Sequence, residues 1–194
     1  MLSRCSKLMR TNYGTLRGWV RSLLGQWVYV TGRLDPHLTP AALAVTRLVF
    51  VCLGNINRSA FAAEVARTQG VDVCSIGLAT STGVPASDTA ISTARRFGMD
   101  LSSHTATDIS DYSYQTGDLL LAMEARHITQ LLGHGIPADA IAPLGHWGTP
   151  LRIHLHDPAT LSDDYFRTCF ALIYCAVINL TAELRASGSP CATR

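Results

Sequence analysis

Four apolar residues, Leu48-Val49-Phe50-Val51, run directly into Cys52-Leu53-Gly54-Asn55-Ile56-Asn57-Arg58-Ser59, and the two segments together constrain the fold more than anything else in the chain. The first is β-branched, aromatic and uncharged, as a strand buried on both faces must be. After the loop, Phe61, Ala62, Val65 and Ala66 recur at helical spacing. Strand, loop and helix therefore follow one another. At such a helix start the unpaired N–H groups converge and carry the positive end of the macrodipole. A thiol placed there has its thiolate favoured, and a phosphate is gripped by backbone donors. Cys52 is thus a candidate nucleophile, and Arg58 can fork two N–H groups onto phosphate oxygens as no lysine can. Gly54 allows close backbone approach, and Asn55 tolerates a left-handed turn. The hydroxyl of Ser59 can donate to the thiolate. Leu53, Ile56 and Asn57 complete the cradle with their backbone.

The stretch Val49-Phe50-Val51-Cys52-Leu53-Gly54-Asn55-Ile56-Asn57-Arg58-Ser59 resembles the opening of the low-molecular-weight protein tyrosine phosphatases, whose loop reads approximately VCxGNxCRSP. The similarity continues in order to about Ala186. Ser75, after a short apolar strand at Val71–Val73, matches the serine that holds the loop asparagine. His104, in Asp100-Leu101-Ser102-Ser103-His104-Thr105-Ala106, matches a histidine that braces the loop serine. Asp118-Leu119-Leu120-Leu121-Ala122-Met123 matches a buried strand, and His156-Asp157-Pro158 the element carrying the general acid. From residue types alone, Asp157 reads first as a turn aspartate beginning a helix cap, because Asp-Pro is a common turn pair. The resemblance implies two-step hydrolysis of a phosphomonoester: Cys52 attacks phosphorus, Asp157 protonates the leaving oxygen, and water then resolves the phosphocysteine. A phosphotyrosine protein or another aryl phosphate is the implied substrate. No cofactor, metal or nucleic acid is expected.

The chain also departs from that pattern. Asn57 stands where the family has a second cysteine, and Ala60 where it has proline. The implied protective disulfide is lost, so peroxide should inactivate Cys52 with poor recovery on reduction unless another thiol, such as Cys74, rescues it. The stretch Leu78-Ala79-Thr80-Ser81-Thr82-Gly83 and the stretch Asp157-Pro158-Ala159-Thr160 both lack the rings that would flank a phenol. Losing them weakens aryl binding without touching the chemical step.

Apolar strands alternating with helical patterns from Arg47 onward predict an α/β fold: a small doubly wound, mostly parallel four-stranded sheet flanked by helices, preceded by a helical extension. Helices are expected at 86–97, ended by Gly98, at 124–132, ended by Gly133, and at about 163–184. The expected organisation is a basic extension and linker at 1–46, a catalytic domain at 47–186 and a tail at 187–194. With 194 residues and 47% apolar composition, one globular unit is expected. The six cysteines show no paired spacing, which argues against a disulfide framework or zinc site and for a reducing, cytoplasmic setting. His154 and His156 beside Asp157 are a weak metal signal, because alternating residues of one extended segment rarely complete a tetrahedral set.

Residues 1–47 carry seven Lys or Arg against one acid, whereas the remainder carries nine against thirteen. Within the extension, Leu16, Val20, Leu24 and Trp27 share a helical face, with Arg17 and Arg21 interleaved, before Pro36 and Pro40 mark a linker. Three roles stay open for residues 13–30: packing on the domain or on a second copy, peripheral contact with an anionic membrane, or a presequence or disordered tail. Two rival functions are also possible. An arsenate reductase would need relay cysteines, and none occurs between Cys74 and Cys169. A decayed phosphate-binding module would not need Cys52, Arg58 and Asp157 together.

Overall fold

The computed structural model describes residues 2–34, 37–38 and 45–192. The expected linker positions Pro36 and Pro40 lie outside the described residues. Four strands, β1 (Arg47–Cys52), β2 (Val73–Gly77), β3 (Asp118–Ala122) and β4 (Ile141–Pro143), form one parallel sheet in the order β2-β1-β3-β4. Among the described residues six α-helices accompany them: α1 (Leu2–Tyr13), α2 (Leu16–Val30), α3 (Arg58–Thr68), α4 (Asp88–Arg95), α5 (Ala125–Gly133) and α6 (Asp163–Ala186).

Alternation along β1 divides the core. Leu48, Phe50 and Cys52 point to the side of α3, α4 and α6, whereas Val49 and Val51 point to the side of α5 and the end of α2. This is a doubly wound sheet, as expected. After β1 the chain leaves for one face, and after β3 it leaves for the other, so a crevice opens between the carboxyl ends of these two neighbours. Cys52 ends one strand there and Glu124 follows the other. At the opposite end of the same strands, Arg47 makes a bidentate pair with Asp118 at 2.8 and 2.7 Å, and the Tyr112 hydroxyl donates to the same carboxylate at 2.6 Å.

The helix ends differ from expectation in instructive ways. Ser87 caps α4 by accepting the Ala90 N–H, so the helix starts at Asp88 and not at 86. Of the expected strand Val71–Val73, only Val73 belongs to β2, and residues 71–72 lead into it. Pairing with β1 runs from Leu48↔Val73 to Cys52↔Gly77, which places Ser75 inside the strand opposite Phe50 rather than after it. In composition α6 is long and apolar enough to cross a membrane, but Phe166, Phe170, Ile173 and Val177 pack in the domain core. Residues 187–192 fold back onto the sheet: the Ser189 hydroxyl and the Cys191 N–H both donate to the Val45 carbonyl.

The extension is folded against the domain. Helix α1 packs on α6, and α2 lies along the segment Leu151–His156. The inward side of α2 is not the predicted stripe. Gly18, Ser22 and Gly25 are its buried residues, while Leu16, Val20, Leu24 and Trp27 are 42–59% exposed. The reason is steric. A Cβ on Gly18 would sit 2.7 Å from the His156 ring, so only the small face of this helix fits the surface beneath it.

Candidate active site

The loop after β1 closes around the sulfur of Cys52. Asn55 takes φ = 50° and donates its N–H to Cys52 Sγ at 3.2 Å. Ser59 Oγ lies 3.0 Å from the same sulfur. The Asn55 carboxamide holds that serine in place. Its Nδ2 donates to Ser59 Oγ and to Ser75 Oγ, both at 2.8 Å, and its Oδ1 accepts the Thr107 N–H at 2.9 Å. Because Ser59 Oγ accepts from Asn55, its single proton is free to point at sulfur. Cys52, Asn55 and Ser59 are all buried.

His104 supports this loop differently from expectation. Its Nε2 donates at 2.6 Å to the Asn55 carbonyl, an acceptor only, so Nε2 carries the proton. The serine expected as its partner is already engaged by Asn55 and Cys52. Burial, partly opposed by this bond, pushes His104 below its ordinary pKa, so it serves as a neutral brace. Asn57 occupies the N-cap of α3 without a side-chain cap. Its Oδ1 instead accepts the Ser87 hydroxyl at 2.6 Å, tying the loop to the start of α4.

Arg58 is 1% exposed and reaches three oxygens. Nη1 donates to Glu124 Oε1 at 2.7 Å and to the Leu155 carbonyl at 2.8 Å, while Nη2 lies 2.8 Å from Asp157 Oδ2. Glu124 is the buried anchor. It also receives Arg126 in a bidentate pair at 2.9 and 3.0 Å, and Arg21 of the extension approaches to 4.0 Å. Burial alone would raise its carboxyl, but Arg58 and Arg126 outweigh burial and hold it at about 2. Beneath it His127 is fully buried, and burial together with Arg58 pushes its imidazole down to about 3. A neutral ring there adds no charge against the guanidinium.

Asp157 lies at the lip, its side chain 31% exposed, with Oδ1 accepting the Ala159 N–H at 3.2 Å. The adjacent His156 packs on the extension: Thr15 Oγ1 is 3.3 Å from Nε2. His154 turns Nδ1 towards Glu124 at 3.8 Å, and burial lowers its pKa to about 4. Thus the pair His154 and His156 has neighbours in the anchor network and the extension. No metal-sized group of His, Cys, Asp and Glu occurs among the described residues.

Cys52, Leu53, Gly54, Ile56, Asn57, Arg58 and Asp157 line one cavity of about 130 Å³, closed at its rim by Ala79 and Ala159. That volume suits a phosphoryl group, and the two alanines leave no ring at either lip. Sulfur at the floor, a forked cation at the wall and a carboxylate at the mouth can perform in-line displacement at phosphorus. The model of the low molecular weight phosphotyrosine protein phosphatases matches residues 47–189. The chain belongs to that family.

Two curated relatives are the low molecular weight protein-tyrosine-phosphatase Wzb of Salmonella typhi, 32% identical over 66% of this chain and 86% of its own length, and Etp of Escherichia coli K12, 31% identical over 69% and 90%. Among solved structures, Vibrio vulnificus Wzb in complex with benzylphosphonate superposes with a TM-score of 0.64 at 26% identity, covering 72% of this chain and 99% of that one. All three leave more than a quarter of this chain unmatched.

Sequence reasoning missed Glu124, Ser87, Thr107 and Leu155. Only Glu124 left a signal: a charged residue directly behind a buried parallel strand sits where ligand crevices form.

Proposed function

We propose that this phosphatase hydrolyses phosphotyrosine in proteins through a cysteinyl-phosphate on Cys52. The thiolate attacks phosphorus in line as the bond to the tyrosyl oxygen breaks, and Asp157 gives its proton to that oxygen. Asp157 then takes a proton from water, which attacks phosphorus and expels the thiolate, releasing inorganic phosphate. Arg58 and the backbone N–H groups of the loop from Leu53 to Ser59 carry the charge on the equatorial oxygens. Ser59 steadies the sulfur as attacking and leaving group. Asn55, Ser75 and His104 hold the loop in shape.

The observation that carries this reading is the convergence of Cys52 Sγ, Arg58 and Asp157 on one phosphate-sized cavity. The test is turnover of p-nitrophenyl phosphate and of a phosphotyrosine peptide by the full chain, with rapid-quench trapping of the phosphoenzyme. Cys52→Ser should abolish both turnover and trapping. Turnover persisting in Cys52→Ser would sink the mechanism, and vanadate binding without turnover by wild type would make the protein a phosphate-binding module.

A cytoplasmic location belongs to the same reading, supported by six cysteines without paired spacing and by a nucleophile that needs to stay reduced. The same reading includes a second contact of the enzyme through residues 13–30, with a membrane or another copy of itself, supported by the apolar outward side of α2.

A further inference from the structure

Helix α2 is mounted with its large residues outward. Leu16, Trp19, Leu23, Trp27 and Val30 are 39–81% exposed and share one side of the helix, and Leu8 of α1 is also exposed, at 57%. Two glycines set this seating. Gly18 and Gly25 bring its backbone against His156 and His154, and a side chain at Gly18 would collide with the His156 ring. A soluble domain seldom leaves so large an apolar surface uncovered without a partner.

We propose that this side of the extension docks the enzyme onto an anionic lipid surface. Charge selects the partner. Residues 1–34 contain six Lys or Arg and no Asp or Glu, whereas residues 48–194 contain nine against thirteen. Pairing two copies through α2 would bring two acid-free cationic segments together; a lipid surface rich in phosphate headgroups neutralises them instead. The aromatic chemistry agrees, because Trp19 and Trp27 are amphipathic rings suited to the headgroup boundary, and Arg33 lies over the Trp27 ring at 5.1 Å. The helix lies on the bilayer rather than across it. Its 15 residues span roughly 22 Å at ~1.5 Å each, short of the ~30 Å hydrocarbon core, and Arg17 and Arg21 interrupt it.

Docking also orients the site. Thr15 and Arg17 of the extension share a surface groove with His156, Asp157 and Ala159, next to the phosphate cavity. The mouth of the site therefore sits beside the lipid-facing helix. The inference rests on the packing and charge of the extension and stands apart from the assignment of the phosphatase residues.

The test is co-sedimentation of the full chain with vesicles of phosphatidylcholine alone and of an equimolar mixture of phosphatidylcholine and phosphatidylglycerol, alongside its elution volume in gel filtration. Binding to the mixed vesicles only, reversed by salt and lost in Trp19→Ser/Trp27→Ser, is expected. Arg33→Gln should weaken it roughly fivefold. Turnover of p-nitrophenyl phosphate, measured in parallel, should be unchanged in these variants and reports that they are folded; its absence in wild type would count against the mechanism at Cys52 and leave the docking result standing. Sedimentation with neither vesicle, or equally with both, overturns the proposal. So does a dimer that the tryptophan variants dissociate and that ignores vesicles, which would give the face to a second copy.

Discussion

Arg58 Nη2 and Asp157 Oδ2 are 2.8 Å apart, although one residue starts α3 and the other lies in the loop before α6. The guanidinium edge that would fork a phosphate thus touches the carboxylate that would protonate the leaving group. A dianionic phosphate must compete with Asp157 for this edge, and binding delivers the acid's neighbour to the phosphoryl oxygens. Asp157→Ala should therefore lose turnover by about 10²–10⁴-fold while binding vanadate at least as tightly as wild type. Steady-state kinetics with vanadate inhibition checks both halves.

Glu124 holds the other edge of Arg58. Removing it by Glu124→Ala leaves a buried cation short of a partner and should cost about 3–5 kcal/mol, read from urea unfolding, along with most of kcat. Arg58→Lys, which keeps charge but not the fork, should lose about 10²–10³ in kcat.

The same anchor predicts an acid limb in stability. The Glu124 carboxyl titrates at about 2 in the fold against an ordinary 4.5, so the unfolded chain binds its proton first. Stability from this group is complete above pH 4.5 and falls as pH drops towards 2, by about 3 kcal/mol in all. His127 and His154, lowered to about 3 and about 4, begin the loss earlier, below 6.5. Urea midpoints measured against pH should fall through both windows, and the lower one should flatten in Glu124→Gln.

Ring-free lips should limit aryl affinity alone. Ala159→Tyr is expected to lower KM for p-nitrophenyl phosphate by about 2–10-fold with kcat little changed, since a ring contact contributes about 0.5–1.5 kcal/mol. A change confined to kcat would place Ala159 elsewhere in the mechanism.

Peroxide should inactivate the enzyme with little recovery on treatment with dithiothreitol. Cys74 cannot rescue Cys52, because it packs on the opposite side of the sheet. Cys169 shares the side of Cys52, but burial pushes its thiol up to about 12 and keeps it protonated. Mass spectrometry should find Cys52 as sulfinic or sulfonic acid, and a Cys52–Cys169 disulfide would overturn this expectation.

The strand, loop and helix around Cys52 were legible because they are contiguous: an uninterrupted buried run, a cysteine and arginine at fixed spacing, and helical periodicity afterwards. Asn55, Ser59 and Arg58 could be assigned from side-chain chemistry for the same reason. Glu124 could not, since it matters only because β3 pairs with β1 and brings position 124 under Arg58. Nor could the partner of His104, which depends on which oxygens of the loop are already taken. For α2, periodicity identified residues that share a face but not which face would pack; the glycines at 18 and 25 carried that information, legible only once His156 and His154 lay beneath them.

The amino-acid sequence by itself determined the phosphate-sized loop, its sulfur, its cation and the parallel strand that launches it, because local propensity and adjacent side-chain chemistry suffice for all of these. Tertiary structure alone decided that Arg58 is held between Glu124 and Asp157 and that the extension turns its large apolar side outward. Both are set by distances between segments far apart in the chain, where close packing and charge pairing choose among arrangements that the sequence pattern leaves equal.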